Sequence, residues 1–289
     1  MLAQTLISGL AIGSVYALIA LALVLINKAT DIVNFAQGEM AMFGTFIAYS
    51  LLQRSGLPLP VVFLLVLPLG ALIGAATERL TIRPLLGAPP LNALIVTIGL
   101  WMIFHYGAGW IWGFDPLTFP SLLPAAPVEI AGVRVSPNSL GIAAISLLLL
   151  VLLFLFFEYT REGLAMRAAS MNRSAAQLMG VTIGRVSMLS WMIAGAMGAA
   201  AGMLLAPQSF VDVDMMFLVL LKALAAAVLG GFTSLPGAVL GGLVIGVTEN
   251  LIGVYVSSAF KEAFAFIIIV LVLIVRPEGL LGRPAVKKV

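Results

Sequence analysis

The chain alternates between long apolar runs and short polar, glycine-rich or proline-rich breaks. A helix needs about 20 apolar residues to cross the hydrocarbon core of a bilayer. The runs predict nine membrane segments, several of them short enough to be tilted, broken or re-entrant. The segments are residues 5–26, 38–52, 59–78, 91–112, 139–157, 187–206, 215–231, 237–255 and 261–275. Eight or ten segments also fit if the first break, near residues 27–37, hides a half-helix.

Composition agrees with burial in a membrane. Of the 289 residues, 62% are hydrophobic and 9% are charged, whereas soluble domains are about 45–50% apolar and about 25% charged. We therefore predict an all-α polytopic membrane protein. Its single transmembrane domain, residues 1–289, would hold about eight to ten helices in one compact bundle with some broken helices.

The reactive residue types exclude several classes of function. The chain has no cysteine and one histidine, which excludes disulfides, thiolate metal sites and histidine-rich metal sites. No nucleophile with a neighbouring base occurs within the apolar segments. The net charge of +3 is not gathered into a nucleic-acid-binding patch. We therefore predict no metal site, no catalytic residue and no nucleic-acid partner.

Lysine and arginine predict the orientation of the chain. With nine segments, the loops and tail on one side contain Lys28, Arg79, Arg83, Arg161, Arg167, Arg173, Arg185, Arg276, Arg283, Lys287 and Lys288. The other side contains Arg54, Arg134 and Lys261. Because cytoplasmic loops are enriched in these residues, the first side is predicted to be cytoplasmic. The N-terminus would lie outside and the C-terminus inside.

Glycines spaced by four predict how the helices pack. Lipid gives apolar helices no hydrophobic reason to associate, so close approach at small residues stabilises the bundle. Such pairs are Gly9/Gly13, Gly70/Gly74, Gly198/Gly202, Gly237/Gly241 and Gly242/Gly246. Two further stretches, 27–44 and 229–242, look like breaks in helices. An ordinary tight turn explains the second stretch equally well.

Two charges are predicted to meet inside the membrane. Lys222 lies eight residues after Asp214, and Glu249 lies twelve residues after Gly237. At about 1.5 Å per residue, these positions reach the same depth from opposite sides of the core. We expect Lys222 and Glu249 to form an ion pair or to face one cavity. The pair either holds two helices together or takes part in a substrate pathway.

Other polar residues extend the candidate pathway. Glu39 and Gln37 are expected near the cytoplasmic edge, where they would line the inner end of a pathway or reach the interface. Asn250 adds an amide beside Glu249. His105 lies within a segment, and no acidic partner is evident near it in sequence, which favours a neutral, hydrogen-bonded histidine over a proton relay. The candidate pathway residues are Gln37, Glu39, Lys222, Glu249 and Asn250.

One basic stretch, GLAMRAASMNRSAAQLMGVTIGR (residues 163–185), differs from its apolar surroundings. Wound as a helix, it presents one apolar stripe opposite Arg173, with a second short helix starting at Asn172 or Ser174 and ending at Gly180. The stripe consists of Leu164, Ala168, Met171, Ala175 and Leu178. The stretch fits a helix on anionic lipid, a simple linker, or a docking element whose stripe fills a partner's groove.

The whole chain resembles the permeases of branched-chain amino acid ABC importers. Four pieces match that family in order. They are GLAIGSVYALIALALVLINKATDIVNFAQGEMAMFG, REGLAMRAASMNRSAAQLMGV, LKALAAAVLGGFTSLPGAVLGG and IVRPEGLLG. The resemblance implies a multi-pass subunit of the bacterial cytoplasmic (inner) membrane that forms half of a translocation pathway for branched-chain or related amino acids.

The resemblance also implies partners and a role for the basic stretch. The partners would be a homologous second permease subunit, two cytoplasmic ATPase subunits that bind ATP and Mg, and an extracytoplasmic substrate-binding protein. Residues 159–185, called the coupling segment below, would receive the ATPase motion. The residues implied in ATPase coupling are Arg161, Glu162, Leu164, Arg167, Met171, Arg173 and Leu178.

The source of energy separates the main alternatives. A P-loop requires Gly-Lys-Ser/Thr, but the lysines occur as NKA, LKA, FKE and VKKV. The chain is therefore not predicted to be the ATPase. The alternative is an ion-coupled secondary transporter of small organic solutes, in which Glu39 and Glu249 would serve as buried acids.

Overall fold

The computed structural model describes residues 2–85, 87–121, 123, 126–130, 133–276 and 278–282. Over these ranges the helices are α1 (Leu2–Thr30), α2 (Gln37–Ser55), α3 (Leu59–Thr77), α4 (Pro90–Trp112), α5 (Pro137–Tyr159), α6 (Arg161–Met171), α7 (Arg173–Leu178), α8 (Ile183–Leu205), α9 (Phe217–Gly230), α10 (Leu235–Tyr255) and α11 (Ser258–Val275). Strands β1 (Val128–Ile130) and β2 (Val133–Val135) form an antiparallel hairpin. The predicted cytoplasmic residues Arg283, Lys287 and Lys288 lie outside the described residues.

The predicted all-α membrane fold is confirmed. Within the described ranges, each of the nine predicted segments is helical, and α6 and α7 lie between the fifth and sixth segments. Six helices are long and apolar enough to cross a bilayer on their own: α1, α3 with its extension to Leu85, α4, α5, α8 with its extension to Gln208, and α10. The other three segments correspond to α2, the 14-residue α9 and α11.

The interrupted helices begin at residues suited to cap them. The Thr160 hydroxyl accepts a hydrogen bond from Gly163 N at 3.0 Å, which starts α6. Asn172 Oδ1 accepts from Ala175 N at 3.0 Å, which separates α7 from α6. Gly180, at φ 88°, follows the end of α7. These side chains satisfy amides that lack partners within the helix, so Asn172 and Gly180 act as the sequence predicts.

The antiparallel pair of α1 and α10 defines two ends of the bundle. At one end, Asn250 Nδ2 donates to Thr5 O at 2.7 Å. At the other, Lys28 Nζ donates to Thr233 O at 3.0 Å. We call the second end the coupling end, because it also carries α6, α7 and residues 278–282, where Leu280 N donates to Leu229 O at 2.8 Å. The opposite, distal end carries the β-hairpin.

Helix α1 is the centre of the core, and every residue from Gly13 to Ile26 is buried. It packs on α10 through glycines whose backbones touch. A Cβ on Gly13 would lie 2.9 Å from Gly242 O, and one on Gly246 would lie 2.2 Å from Gly13 Cα. The predicted glycine packing is confirmed at this interface, and the α3–α8 contact uses Gly70 and Gly74 in the same way.

The two predicted breaks have different structures. Residues 231–234 form a tight turn between α9 and α10, with Gly231 at φ 99° and the Ser234 hydroxyl accepting from Gly237 N. At the first break, within residues 27–44, the chain turns back into the bundle. Gln37 Nε2 donates to Ala194 O at 2.9 Å, and Ala194 lies eleven residues along α8, about 16 Å from its start at ~1.5 Å per residue.

Residues 32–36 therefore return the chain from the coupling end to membrane depth, and α2 begins there. Counting residues 27–37 as a loop outside the membrane is wrong for this part, whereas the predicted break within residues 27–44 is confirmed. Asn34, Ala36 and Gln37 are fully buried, because irregular backbone at this depth must be covered by protein or line a cavity. We call residues 32–36 the re-entrant segment.

We expect Gly246→Ala to destabilise the bundle, because its new Cβ would collide with the α1 backbone. Overpacking of this kind typically costs about 1–3 kcal/mol. The matched control is Gly99→Ala in α4, where a Cβ meets no heavy atom within 4 Å. Thermal unfolding of the purified chain in detergent should show a lower melting temperature for Gly246→Ala only. Equal melting temperatures for the two variants would contradict the packing described.

Candidate functional site

The predicted pairing of Lys222 with Glu249 is confirmed. Lys222 Nζ donates to Glu249 Oε1 at 2.7 Å, and the two residues are only 9% and 2% exposed. Helices α9 and α10 bring them together because the short turn between these helices makes them antiparallel. A second cation, Lys261 of α11, lies 3.6 Å from the same oxygen. One carboxylate thus faces two ammonium groups.

Tyr16 completes this cluster from α1. Its ring centroid lies 5.7 Å from Lys222 Nζ, a distance at which an aromatic face attracts a cation. Lys222, Glu249, Lys261 and Tyr16 therefore join four helices through one polar cluster in the distal half. Burying charge in an apolar medium is costly unless the charge is paired, and the contacts of Glu249 with the two lysines offset part of that cost where these helices meet.

Glu39 has a partner that the sequence did not reveal. Its carboxylate Oε2 lies 3.5 Å from His105 Nδ1, and the His105 ring stacks on Trp101 at 5.0 Å. Sequence proximity showed no acidic residue beside His105, but the fold places one there. Residues 39 and 105 are 66 positions apart, and only the packing of α2 on α4 brings them together.

The position of Glu39 also differs from expectation. The neighbouring Gly38 packs against Met216 O and the Leu220 side chain, which lie at the distal start of α9. Glu39 is therefore in the interior near the distal half, and the predicted position near the cytoplasmic edge is wrong. The reason is the re-entrant segment, which carries the chain inward before α2 begins.

Gln37 and Asn34 fix the first turn of α2. Asn34 Nδ2 donates to Gln37 Oε1 at 3.1 Å, and Asn34 Oδ1 accepts from Ala36 N at 3.1 Å. With Gln37 bound to Ala194 O, this network satisfies polar groups where water is scarce. Asn34 was not among the candidate residues, and its only sequence signal was its place in the polar break.

Asn250, the fifth candidate pathway residue, faces α1. Its amide donates to Thr5 O near the distal end, beside the cluster around Glu249. The five candidates therefore form two groups. Lys222, Glu249 and Asn250 lie where α1, α9 and α10 meet, and Gln37 and Glu39 lie where α2 meets α8 and α4.

The coupling segment presents an apolar surface to its surroundings. Leu164, Met171 and Leu178 are 60%, 81% and 89% exposed, and Met179 is equally open. The opposite side of α6 and α7, which includes Met166, Ala169 and Ala176, packs on the bundle. Four of the five predicted stripe residues are thus exposed, whereas Ala168 is partly buried against the bundle. The break at Asn172 divides the stripe between two helices.

Two arginines of the coupling segment join neighbouring helices through ion pairs with carboxylates. Arg167 Nη1 lies 2.7 Å from Glu158 Oε2, and Arg185 Nη2 lies 2.5 Å from Glu162 Oε1. These two contacts attach α6 to α5 and α8. Arg161 begins α6 in an exposed position.

Arg173 reaches further along the sequence. Its Nη2 donates to Ala29 O at 2.7 Å, and its Nη1 lies 3.0 Å from Asp31 Oδ2. Arg173 therefore binds the end of α1, on the side of α7 away from the exposed stripe. The sequence could place Arg173 opposite the stripe but could not identify Ala29 and Asp31 as its partners.

Comparisons with known proteins agree with these features. Residues 5–273 match the family described as the permease component of the branched-chain amino acid transport system. The chain is 32% identical to the high-affinity branched-chain amino acid transport system permease protein LivH of Salmonella typhimurium, over 99% of this chain and 97% of that protein. It is 34% identical to the permease BraD of Pseudomonas aeruginosa over the same shares.

A solved structure extends the comparison to the fold. PsaBC from Streptococcus pneumoniae, in complex with Fab, matches with a TM-score of 0.52 and 13% sequence identity. The match covers 95% of this chain and 91% of that chain. The similarity shows a shared helical architecture.

The near full-length match to these permeases, carried on a helical membrane fold, identifies the chain as the membrane subunit of an ABC importer. The chain belongs to the branched-chain amino acid transport permease family. It is a permease subunit and not itself an enzyme. Members of this class act with ATPase subunits and a binding protein, and the ion-coupled alternative is not favoured.

The ion pairs of Glu249 with Lys222 and Lys261 predict an order of stability among variants of these residues. Glu249→Gln removes the anion and leaves the buried Lys222 ammonium beside the partly exposed Lys261 ammonium. It should therefore be the most destabilising change, by about 3–5 kcal/mol for a broken buried pair. Lys222→Met should cost less, because Lys261 still faces the carboxylate. The double change Lys222→Met/Glu249→Gln should recover part of the loss. Denaturation of each purified variant in detergent measures the order, and a double variant less stable than Glu249→Gln would refute it.

Proposed function

We propose that the chain forms half of the membrane pathway through which an ABC importer moves branched-chain amino acids. The support for this substrate class is the similarity, over nearly the full length, to LivH and BraD, which are named as branched-chain amino acid permeases. A homologous second permease subunit would supply the other half. Transport would follow alternating access, with the pathway opening to one side at a time.

The observation that carries this proposal is the exposed apolar surface of α6 and α7. Leu164, Met171 and Leu178 are large apolar side chains exposed at the coupling end of the bundle. Such a surface is typical of a helix that fills a hydrophobic groove of a partner. Two cytoplasmic ATPase subunits, which bind ATP and Mg, are the partners proposed, one of them beneath this chain.

The orientation follows from this assignment. The coupling end would face the cytoplasm with the C-terminus, and the distal end with the N-terminus would face outward, in agreement with the distribution of lysine and arginine. The distal β-hairpin and the loop from 113 to 136 would meet the extracytoplasmic substrate-binding protein. The chain would lie in the bacterial inner membrane.

The pathway residues are proposed from their chemistry and position. Gln37, Glu39, Lys222, Glu249 and Asn250 are polar residues in the membrane interior, where such residues commonly mark transport paths. In the conformation described, Lys222 and Glu249 bind each other, and Gln37 and Asn250 bind backbone carbonyls. Glu39 faces His105. Exposing them to substrate requires α2 or α9 to move relative to α8 and α10.

Replacing apolar residues of the exposed stripe should release the ATPase subunits. We expect Leu164→Asp/Leu178→Asp to abolish their co-purification, since a charged carboxylate cannot enter a hydrophobic groove without a large desolvation cost. The amount of permease in the membrane should not change, because both side chains are exposed. Pull-down of the tagged permease, followed by quantification of the ATPase subunits, provides the measurement.

Gln177→Asp is the matched control for this experiment. Gln177 is exposed on α7 but lies on another side of the helix from Leu178. It should keep the ATPase bound. Retention of the ATPase by the stripe variant, or its equal loss in the control, would exclude docking through the stripe.

Transport by the reconstituted importer tests the substrate and the energy source together. The proteoliposomes contain both permease subunits and the ATPase subunits, and the binding protein is supplied on the outside. They should accumulate leucine only when ATP is enclosed in the lumen, on the same side as the ATPase subunits. Uptake without ATP under a sodium or proton gradient would support the ion-coupled alternative. ATP-dependent uptake of another solute in place of leucine, isoleucine and valine would overturn the substrate class alone.

A further inference from the structure

One contact links the coupling segment to a distant part of the chain. Arg173, at the start of α7, donates 2.7 Å to the carbonyl of Ala29 and contacts the Asp31 carboxylate at 3.0 Å. The hydrogen-bonded residues are separated by 144 positions. One guanidinium therefore holds the last turn of α1 and the residue that follows it.

The conformation at this point directs the chain inward. Asp31 has φ 58°, the left-handed conformation that commonly ends helices. Its amide donates to Asn27 O at 2.7 Å, which closes the last turn of α1. The Arg173 contact satisfies one of the carbonyls left free at the helix end. The left-handed residue and its partner thus fix the angle at which the re-entrant segment leaves α1.

The re-entrant segment is a short connection to the membrane interior. Five residues separate Asp31 from Gln37, and Asn34 within them is fully buried and bonded to the Gln37 side chain. Gln37 in turn binds Ala194 O of α8. Because the segment is short and both of its ends are bound to other helices, the distance between Asp31 and Gln37 can change little. Displacement of Asp31 must therefore be felt at the first turn of α2, which carries Glu39.

The other arginines of the segment connect elements that are already neighbours in the chain. Arg167 binds Glu158 only nine residues away, and Arg185 binds Glu162 at a separation of 23. Those contacts stiffen the junctions of α5, α6 and α8. Arg173 is the arginine of this segment that reaches α1.

We propose that Arg173 is a positioning residue that transmits movement of the coupling segment to the re-entrant segment, and through it to the start of α2. This inference rests on the proposed docking of an ATPase at α6 and α7. Arginine suits the task because its planar guanidinium makes two directed contacts at once. A movement of α7 then pulls on Ala29 and Asp31 together. Arg173 acts on the end of α1 and the re-entrant segment, and it does not bind the ATPase.

The experiment measures leucine transported per ATP hydrolysed in proteoliposomes that contain the complete importer. Arg173→Met removes both contacts and keeps a long side chain. We expect the ATPase subunits to remain bound and basal ATP hydrolysis to persist, while transport per ATP falls at least about fivefold, the lower end of typical coupling effects. Arg173→Lys, which retains the charge but not the paired geometry, should fall between this variant and the wild type.

A double-mutant cycle tests whether the effect passes through Asp31. Asp31→Asn keeps a residue that tolerates the left-handed conformation and removes the charge. If both residues serve one connection, Arg173→Met/Asp31→Asn will transport no less per ATP than Arg173→Met alone. Arg79→Met, at an exposed arginine on the same end of the bundle, is the matched control and should transport normally.

The outcomes separate this inference from the function on which it rests. A wild-type importer without ATP-dependent uptake refutes the proposed function before any variant is compared. A wild-type ratio of transport to ATP hydrolysis in Arg173→Met overturns the inference and leaves the function intact. Loss of the ATPase from Arg173→Met also overturns it, since Arg173 would then serve docking. If the Arg173→Met protein does not accumulate in the membrane, Arg173→Lys takes its place. A wild-type ratio of transport to ATP hydrolysis in Arg173→Lys then overturns the inference, and a lower ratio with the ATPase still bound supports it.

Discussion

The close approach of α1 and α10 is the contact on which the other features depend. Lipid is as apolar as the helices, so the bundle must be held by close packing and polar contacts. The backbones at Gly13, Gly242 and Gly246 touch, and this contact sets the position of α1 at the centre. Both polar clusters and the Arg173 contact are placed relative to α1 or to the segment that follows it.

Much of the fold could be predicted because bilayers impose simple rules. Length and apolarity located the nine apolar segments, glycine spacing indicated the close contacts, and depth counting from Asp214 and Gly237 paired Lys222 with Glu249. Each of these inferences depends on one helix or one turn. Asn172 and Gly180 could be assigned as helix ends for the same reason, since capping is a local property.

The remainder depended on contacts between distant parts of the chain. Glu39 was predicted at the wrong depth because the pattern could not distinguish a surface loop from a re-entrant segment. His105 seemed to lack an acidic partner because its partner lies on another helix, 66 residues earlier. Arg173 likewise required the packing of α7 beside the end of α1 before Ala29 and Asp31 could be recognised. Sequence spacing carries no information of this kind without related sequences or a fold.

The short α9 has a consequence for the surrounding lipid. Its 14 residues extend about 21 Å at ~1.5 Å per residue, whereas α1 has 29 residues. A helix of this length has no overhang with which to follow a thicker hydrocarbon layer by tilting. Val211, Val213 and Met216, which precede α9, are buried. They fill the part of the apolar layer that the short helix does not reach. Changes in bilayer thickness would therefore strain the protein first at that junction, within two helical turns of Lys222.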